Sequence, residues 1–103
     1  MAVIEGVLFE EVERLDKNIK HYEKMLNDLP RGSIFIRKMG SSSFAYRKRK
    51  ENGKVVSEYL GNVESNDVQK QIELSREYKR IKNNLRIANS ELVKLRKALK
   101  AYD

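Results

Sequence analysis

The stretch FAYRKRKENGKVVSEYLG, residues 44–61, carries Arg47, Lys48, Arg49 and Lys50 in succession, and Lys54 follows an Asn-Gly pair. Just upstream, SIFIRKM supplies Phe35, Arg37 and Lys38. Guanidinium groups hold phosphate or a guanine edge through two parallel N–H donors, and ammonium groups add undirected attraction. Cations with an interleaved aromatic are therefore the residue types of a nucleic-acid or polyanion surface. The competing reading is a solvated sheet that uses Lys and Arg to stay soluble and to blunt its edges. Lys and Arg outnumber Asp and Glu eight to three over residues 30–64. A merely solvated face mixes both signs, so the imbalance favours polyanion contact.

Other chemistry has few carriers. His21 has Lys17 and Met25 at the i±4 positions, so no second ligand completes a helical metal pair. Glu10, Glu11 and Glu13 form a helix face, not a dyad in a pocket that separates two pKa values. Cysteine is absent, which removes disulfides, thiolate nucleophiles and Cys-type zinc sites. Ser41-Ser42-Ser43 reads as a turn, and no phosphate-cradling or dinucleotide glycine motif occurs. The expectation is a protein that is not an enzyme and has no catalytic residue, metal or cofactor.

Two helices and a meander must position the basic residues. Leu8, Val12, Leu15, Ile19, Tyr22, Leu26 and Leu29 recur at steps of four and three, the seam of an amphipathic helix over residues 2–29. Pro30 and Gly32 end it, because a proline disfavours helical backbone at the preceding residue. Arg31-Gly32 is read as a helix terminator followed by a turn, in preference to a phosphate-touching loop. Ser65-Asn66-Asp67 offers caps for a second helix over 66–102, with Asn66 and Gln69 spaced as a capping box. Its seam runs through Tyr78, Ile81, Leu85, Ala88, Leu92, Leu95, Leu99 and Tyr102.

An antiparallel pairing of these helices, with Leu29 near Val68 and Ile4 opposite the low nineties, leaves the last turns overhanging. A homodimer packed through Leu85, Leu92, Leu95, Leu99 and Tyr102 as a four-helix bundle would cover them, and terminal fraying is the alternative.

Between the helices the period changes to two, giving three short strands at residues 33–39, 43–50 and 54–60 within a meander over 33–61. The fold class is α+β: a long antiparallel helical hairpin, coiled-coil-like, with a three-stranded antiparallel β-meander inserted in a single domain. Asn52-Gly53 suits a type I′ turn, which pairs Glu51 with Lys54, Arg49 with Val56, Arg47 with Glu58 and Tyr46 with Tyr59. A three-residue first loop, Gly40-Ser41-Ser42, puts Ile34 and Ile36 beside Phe44, Tyr46, Val55 and Tyr59 on the expected core face. Phe35, Arg37, Arg47 and Arg49 then share the free face, with Lys38, Lys48, Lys50 and Lys54 at its rims.

The charge of +7 on 103 residues is unevenly spread. Residues 1–29 hold four Lys/Arg against seven Asp/Glu, and residues 65–103 hold ten against five. An acidic first helix beside a basic last one neutralises part of the charge, and the middle segment has no such neighbour. MAVIEGVLFEEVERL lacks a basic leader and a cleavage site, and no apolar run reaches the roughly 18 residues of a bilayer span. The expected location is the cytoplasm, with no membrane contact.

The string LPRGSIFIRKMGSSSFAYRKRKENGKVVSEYLG resembles a family of small uncharacterised bacterial, archaeal and phage-borne proteins. Their pattern is carried here by Leu29, Pro30, Gly32, Arg37, Gly40, Tyr46, Gly53, Lys54, Tyr59, Leu60 and Gly61. The Gly-Lys…Tyr-Leu-Gly portion is also similar to the first β-meander of some transposases and to the arm-binding module of phage integrases. The likeness implies a mobile-element or phage context, and within it the basic sheet face points to DNA or RNA as partner. The alternative it implies is a regulator of a host nucleic-acid-processing or defence complex, in the manner of anti-CRISPR proteins, docking through the basic sheet or the helical seam.

Overall fold

A computed structural model describes residues 3–102. The elements are α1 (Val3–Asn27), β1 (Ser33–Met39), β2 (Ser42–Glu51), β3 (Lys54–Asn62) and α2 (Asn66–Lys100). This is the helix, antiparallel meander and helix that the change of period predicts. The helix start expected at residue 2 lies outside the described residues. α1 stops two residues earlier than expected, with the Asp28 N–H donating to the Met25 carbonyl at 3.2 Å. Beyond Lys100 the chain tightens into i→i−3 bonds, from Ala101 to Ala98 and from Tyr102 to Leu99. Both endings follow the habit of terminal turns to narrow as partners for i→i−4 bonds run out.

The chain divides into two compact units. One contains the residues up to Asp28 and those from Arg80 onward. In it, Leu15 and Ile19 of α1 are buried with Ala88 and Leu92 of α2, and Val12, Tyr22, Leu85 and Leu95 pack around them. The Asp16 carboxylate lies 3.5 Å from the Arg96 guanidinium, and Glu11 lines a hollow with Lys94 and Leu95 while Tyr22 lines another with Asn84 and Ile87, so the pair is antiparallel.

The register differs from the sequence expectation by about two turns of helix. An alignment with Leu29 near Val68 and Ile4 opposite the low nineties would bring Leu15 opposite residue 82 or so, whereas it packs with Ala88 and Leu92. Residues 66–79 belong to the sheet unit, where Val68 and Ser75 are buried. Leu95 accordingly packs inside the chain and Leu99 is half-buried, so the overhang that called for a dimer shrinks. Tyr102 stays exposed just past the end of α2, as do Ile87 and Val93 along it and Val3, Ile4 and Val7 on the first turns of α1.

On the surface of α1, the Arg14 Nε donates to both Glu11 carboxylate oxygens at 3.0 and 3.1 Å. This hydrogen bond holds the Glu11 carboxyl below its ordinary value. Its stabilisation is present above the ordinary carboxylate range and is lost as pH falls through the depressed value. In a carbon-detected NMR titration, Glu11 is expected to protonate below the ordinary glutamate value, and Arg14→Ala to return it toward that value.

The other unit, Leu29–Lys79, holds the sheet in the order β1-β2-β3 and the first turns of α2. Asn52 and Gly53, with φ of 53° and 79°, close the β2–β3 hairpin as a type I′ turn. Its pairing runs Glu51 with Lys54 and Tyr46 with Tyr59, as expected from the sequence. Ser65 accepts the first α2 bond, from the Gln69 N–H at 2.9 Å, which makes Ser65 the cap. The Gln69 side chain reaches back to the Val63 carbonyl and not to Asn66, so the expected capping box is replaced by a bond to the preceding turn.

The β1–β2 connection differs from the expectation and the difference is consequential. Met39 pairs with Ser42, so the loop has two residues, Gly40 and Ser41, and not three. Gly40 takes φ +65° while Ser41 stays negative, the sign pattern of a type II′ turn, whose twist matches that of the strands it joins. Because side chains alternate, one residue less in the loop turns all of β1 over relative to β2.

Candidate nucleic-acid interface

The register divides the strand residues into two faces. Arg37 opposite Phe44, Phe35 opposite Tyr46 and Ser33 opposite Lys48 share one face with Lys50, Val55, Ser57 and Tyr59. Ile34, Ile36, Lys38, Ala45, Arg47, Arg49, Val56 and Glu58 share the other.

The second face is the one that packs on α2. Ala45 is fully buried, and its cross-strand partner is Gly61. The side chain of Val68 stands 3.2 Å from where a Cβ on Gly61 would be. This pair of small residues lets the first turn of α2 lie close to the strands. A bulge next to it leaves Leu60 unpaired, because Tyr59 pairs with Tyr46 while Gly61 pairs with Ala45. Leu60 then lines a groove with Val68 and Leu74, and Tyr59 stays on the opposite face.

This arrangement corrects the sequence reading of which face is free. Arg47 and Arg49 were expected on the free face beside Arg37 and Phe35. Arg47 is half-buried, and its Nη2 donates to the Gln71 side-chain oxygen of α2 at 2.5 Å. Arg49 lies between two carboxylates, 3.4 Å from Glu58 and 3.9 Å from Glu51. Lys54 lies across from Glu51 at the turn, and Lys38 lies on the same side as Arg47 at the β1 edge. Of the eight residues singled out in the sequence, the structure brings Phe35, Arg37, Lys48 and Lys50 together and puts the remaining four elsewhere.

What occupies the free face is a band of rings. Phe35, Tyr46 and Tyr59 sit at one register level, one on each strand. The Phe35 and Tyr46 rings stack at 5.2 Å and 17°, and Tyr46 and Tyr59 lie 5.4 Å apart at 56°. Phe44 adds a fourth ring 6.2 Å from Tyr59. Aromatic pairs at these separations contribute about 0.5–1.5 kcal/mol beyond the area they bury. Two cations lie over the band: Lys48 Nζ is 4.7 Å from the Phe35 centroid, and the Arg37 guanidinium carbon is 5.9 Å from that of Tyr46. Tyr59 keeps 58% of its surface exposed and Val55 63%.

The face therefore carries Arg37, Lys48 and Lys50 with no carboxylate on any of its strand positions, since Glu51 and Glu58 both lie on the α2 side. Sequence reasoning had the grouping of Phe44, Tyr46 and Tyr59 right and assigned these rings to the core, because aromatic residues at alternate positions of a strand usually face inward. The signal that could have reversed the assignment is Ala45, a small residue alternating with those rings and suited to a close-lying helix; its pairing with Gly61 depends on the bulge. Among the described residues no group of three or more His, Asp or Glu side chains is arranged to hold a metal ion. No helix among them is long and apolar enough to cross a membrane.

No curated protein and no solved structure gives a significant match to the chain. A family model does, described as Domain of unknown function (DUF6788), and it takes in the motif residues from Leu29 to Gly61. Since that match spans residues 9–70, more than half of the chain and all three strands, the protein belongs to the DUF6788 family.

Proposed function

We propose that this is a non-enzymatic nucleic-acid-binding accessory protein that uses the ring-bearing face of its sheet. The observation that carries the reading is that both strand carboxylates lie on one face, so the ring-bearing face holds cations alone. Arg37, Lys48 and Lys50 stand among aromatic rings with no carboxylate, whereas Arg49 is held between Glu51 and Glu58 on the other side. A face kept soluble by charge alone has no reason to exclude one sign. The resemblance of Gly53-Lys54 and Tyr59-Leu60-Gly61 to a transposase meander supports a mobile-DNA setting.

In a mobility-shift assay at low salt, the protein is expected to retain nucleic acid, with log affinity falling by about 0.7–0.9 per neutralised phosphate as log salt rises. Arg37→Glu with Lys48→Glu is expected to abolish retention, and Arg49→Glu to leave it intact. Absence of any retention at low salt overturns the reading. The exposed Val3, Ile4 and Val7 favour the second reading, a protein-binding regulator of a nucleic-acid-processing complex. A protein partner captured after nuclease treatment, and lost with Val7→Asp, would decide for it.

A further inference from the structure

We infer that the ligand of this face is a single-stranded nucleic-acid segment, with unpaired bases stacked on Tyr59, Tyr46 and Phe35 and phosphates taken by Arg37 and Lys48. The inference rests on the nucleic-acid reading above and goes further by naming the form of the ligand and the residues that select it.

Cations alone would serve a duplex and a single strand equally, so the rings decide. In a duplex the base faces are hidden in the stack, and a protein reaches only phosphates, sugars and base edges. Rings on an open sheet have nothing to stack on there. Unpaired bases present their faces, and every base has one, so stacking on aromatic side chains holds a strand with little regard to sequence. The three rings form an unbroken row across neighbouring strands, with separations of 5.2 and 5.4 Å. Tyr59, at the end of the row and more than half exposed, is the most open ring and the first landing point for a base.

The cations are already in place. Lys48 lies over Phe35 and Arg37 over Tyr46, each held by the ring quadrupole in the absence of a ligand. An arriving strand exchanges these contacts: bases take the faces of Tyr59 and those that the cations cover, since Phe35 and Tyr46 already stack on each other, and the two long, exposed side chains swing to the adjacent phosphates. No carboxylate on the face opposes the approach. An acidic protein segment would satisfy the cations but would leave the ring faces uncovered.

The test is fluorescence anisotropy with end-labelled oligothymidylate and oligouridylate of about 12 nucleotides, within the span of one small binding module. A hairpin duplex and an abasic phosphodiester strand of the same length, and a polyglutamate peptide, serve as competitors. Both single strands are expected to bind about tenfold or more tightly than the duplex and the abasic strand, with the balance between DNA and RNA read from the two arms. Tyr59→Ala is expected to weaken binding about tenfold, and Arg49→Ala to leave it unchanged. Tyr59→Leu keeps an apolar cover at an exposed position and still removes the ring, so a loss shared by both variants reports stacking and not misfolding.

If the duplex or abasic strand binds as well as oligothymidylate, or if both Tyr59 variants bind like the parent, the stacking inference is overturned while the salt-dependent nucleic-acid reading stands. If polyglutamate displaces the strand at equal concentration, the ligand is an acidic protein and the inference fails. If no oligonucleotide binds at low salt, both fall together.

Discussion

Gly32→Ala is expected to lower the melting temperature by more than about 10 °C, corresponding to a loss on the order of 3 kcal/mol for a domain of this size. Two penalties combine. Gly32 has φ +99°, a conformation that costs any residue with a Cβ. A Cβ there would also stand 2.5 Å from the backbone oxygen of Lys48 and 3.2 Å from Arg47 Cγ. The carbonyl is fixed by the β2 ladder and cannot swing aside as a side chain can. Gly40→Ala isolates the first penalty, because Gly40 has φ +65° with nothing near its missing Cβ, and about 1–2 kcal/mol is expected. Thermal unfolding by circular dichroism compares the two. Equal losses would mean that the Lys48 carbonyl yields and that the approach of Gly32 to β2 is not a constraint.

Leu15→Ala is expected to cost about 2–5 kcal/mol, the range for a leucine truncated in a packed core that collapses only in part. Leu15 is buried among Ile19, Ala88 and Leu92, and the surrounding Val12 and Leu95 are on helices that cannot close the gap without moving their backbones. Val7→Ala, on the same helix but 59% exposed, is expected to fall within about 0.5 kcal/mol of the parent. Urea unfolding of both variants gives the comparison. A Leu15→Ala loss as small as that of Val7→Ala would show that the seam contributes little to the stability of the helical unit.

Both helices and the β2–β3 hairpin were legible in the sequence because each rests on a local signal: apolar steps of three and four, a proline, and Asn52-Gly53. The pairing from Glu51–Lys54 to Tyr46–Tyr59 followed from the turn type alone. What was not legible depends on single residues or on distant partners. Gly40-Ser41-Ser42 supports loops of two or three residues equally well, and the choice decides whether Phe35 and Arg37 or Ile34 and Ile36 accompany Tyr46. The helical register depends on which residues of two distant segments meet, which no short window of sequence contains. The candidate site changed accordingly. Of the two arginines that four consecutive cations make conspicuous, Arg47 is tied to Gln71 and Arg49 serves as the control, while Tyr59, which its alternation assigns to the core, is the residue to test.

The order of the sheet, β1-β2-β3, means that every strand pairs with its neighbour in the chain, across loops of two residues. Closing such loops takes little entropy, and hairpins of this kind form in about 1–10 μs. The seam of the helical unit joins Leu15 and Ile19 to Ala88 and Leu92, groups far apart along the sequence, so its contacts must wait for a much larger loop to close. The meander is thus expected to form early and the helix pairing late. The Leu15→Ala loss is accordingly expected to appear mainly as faster unfolding, with the folding rate little changed.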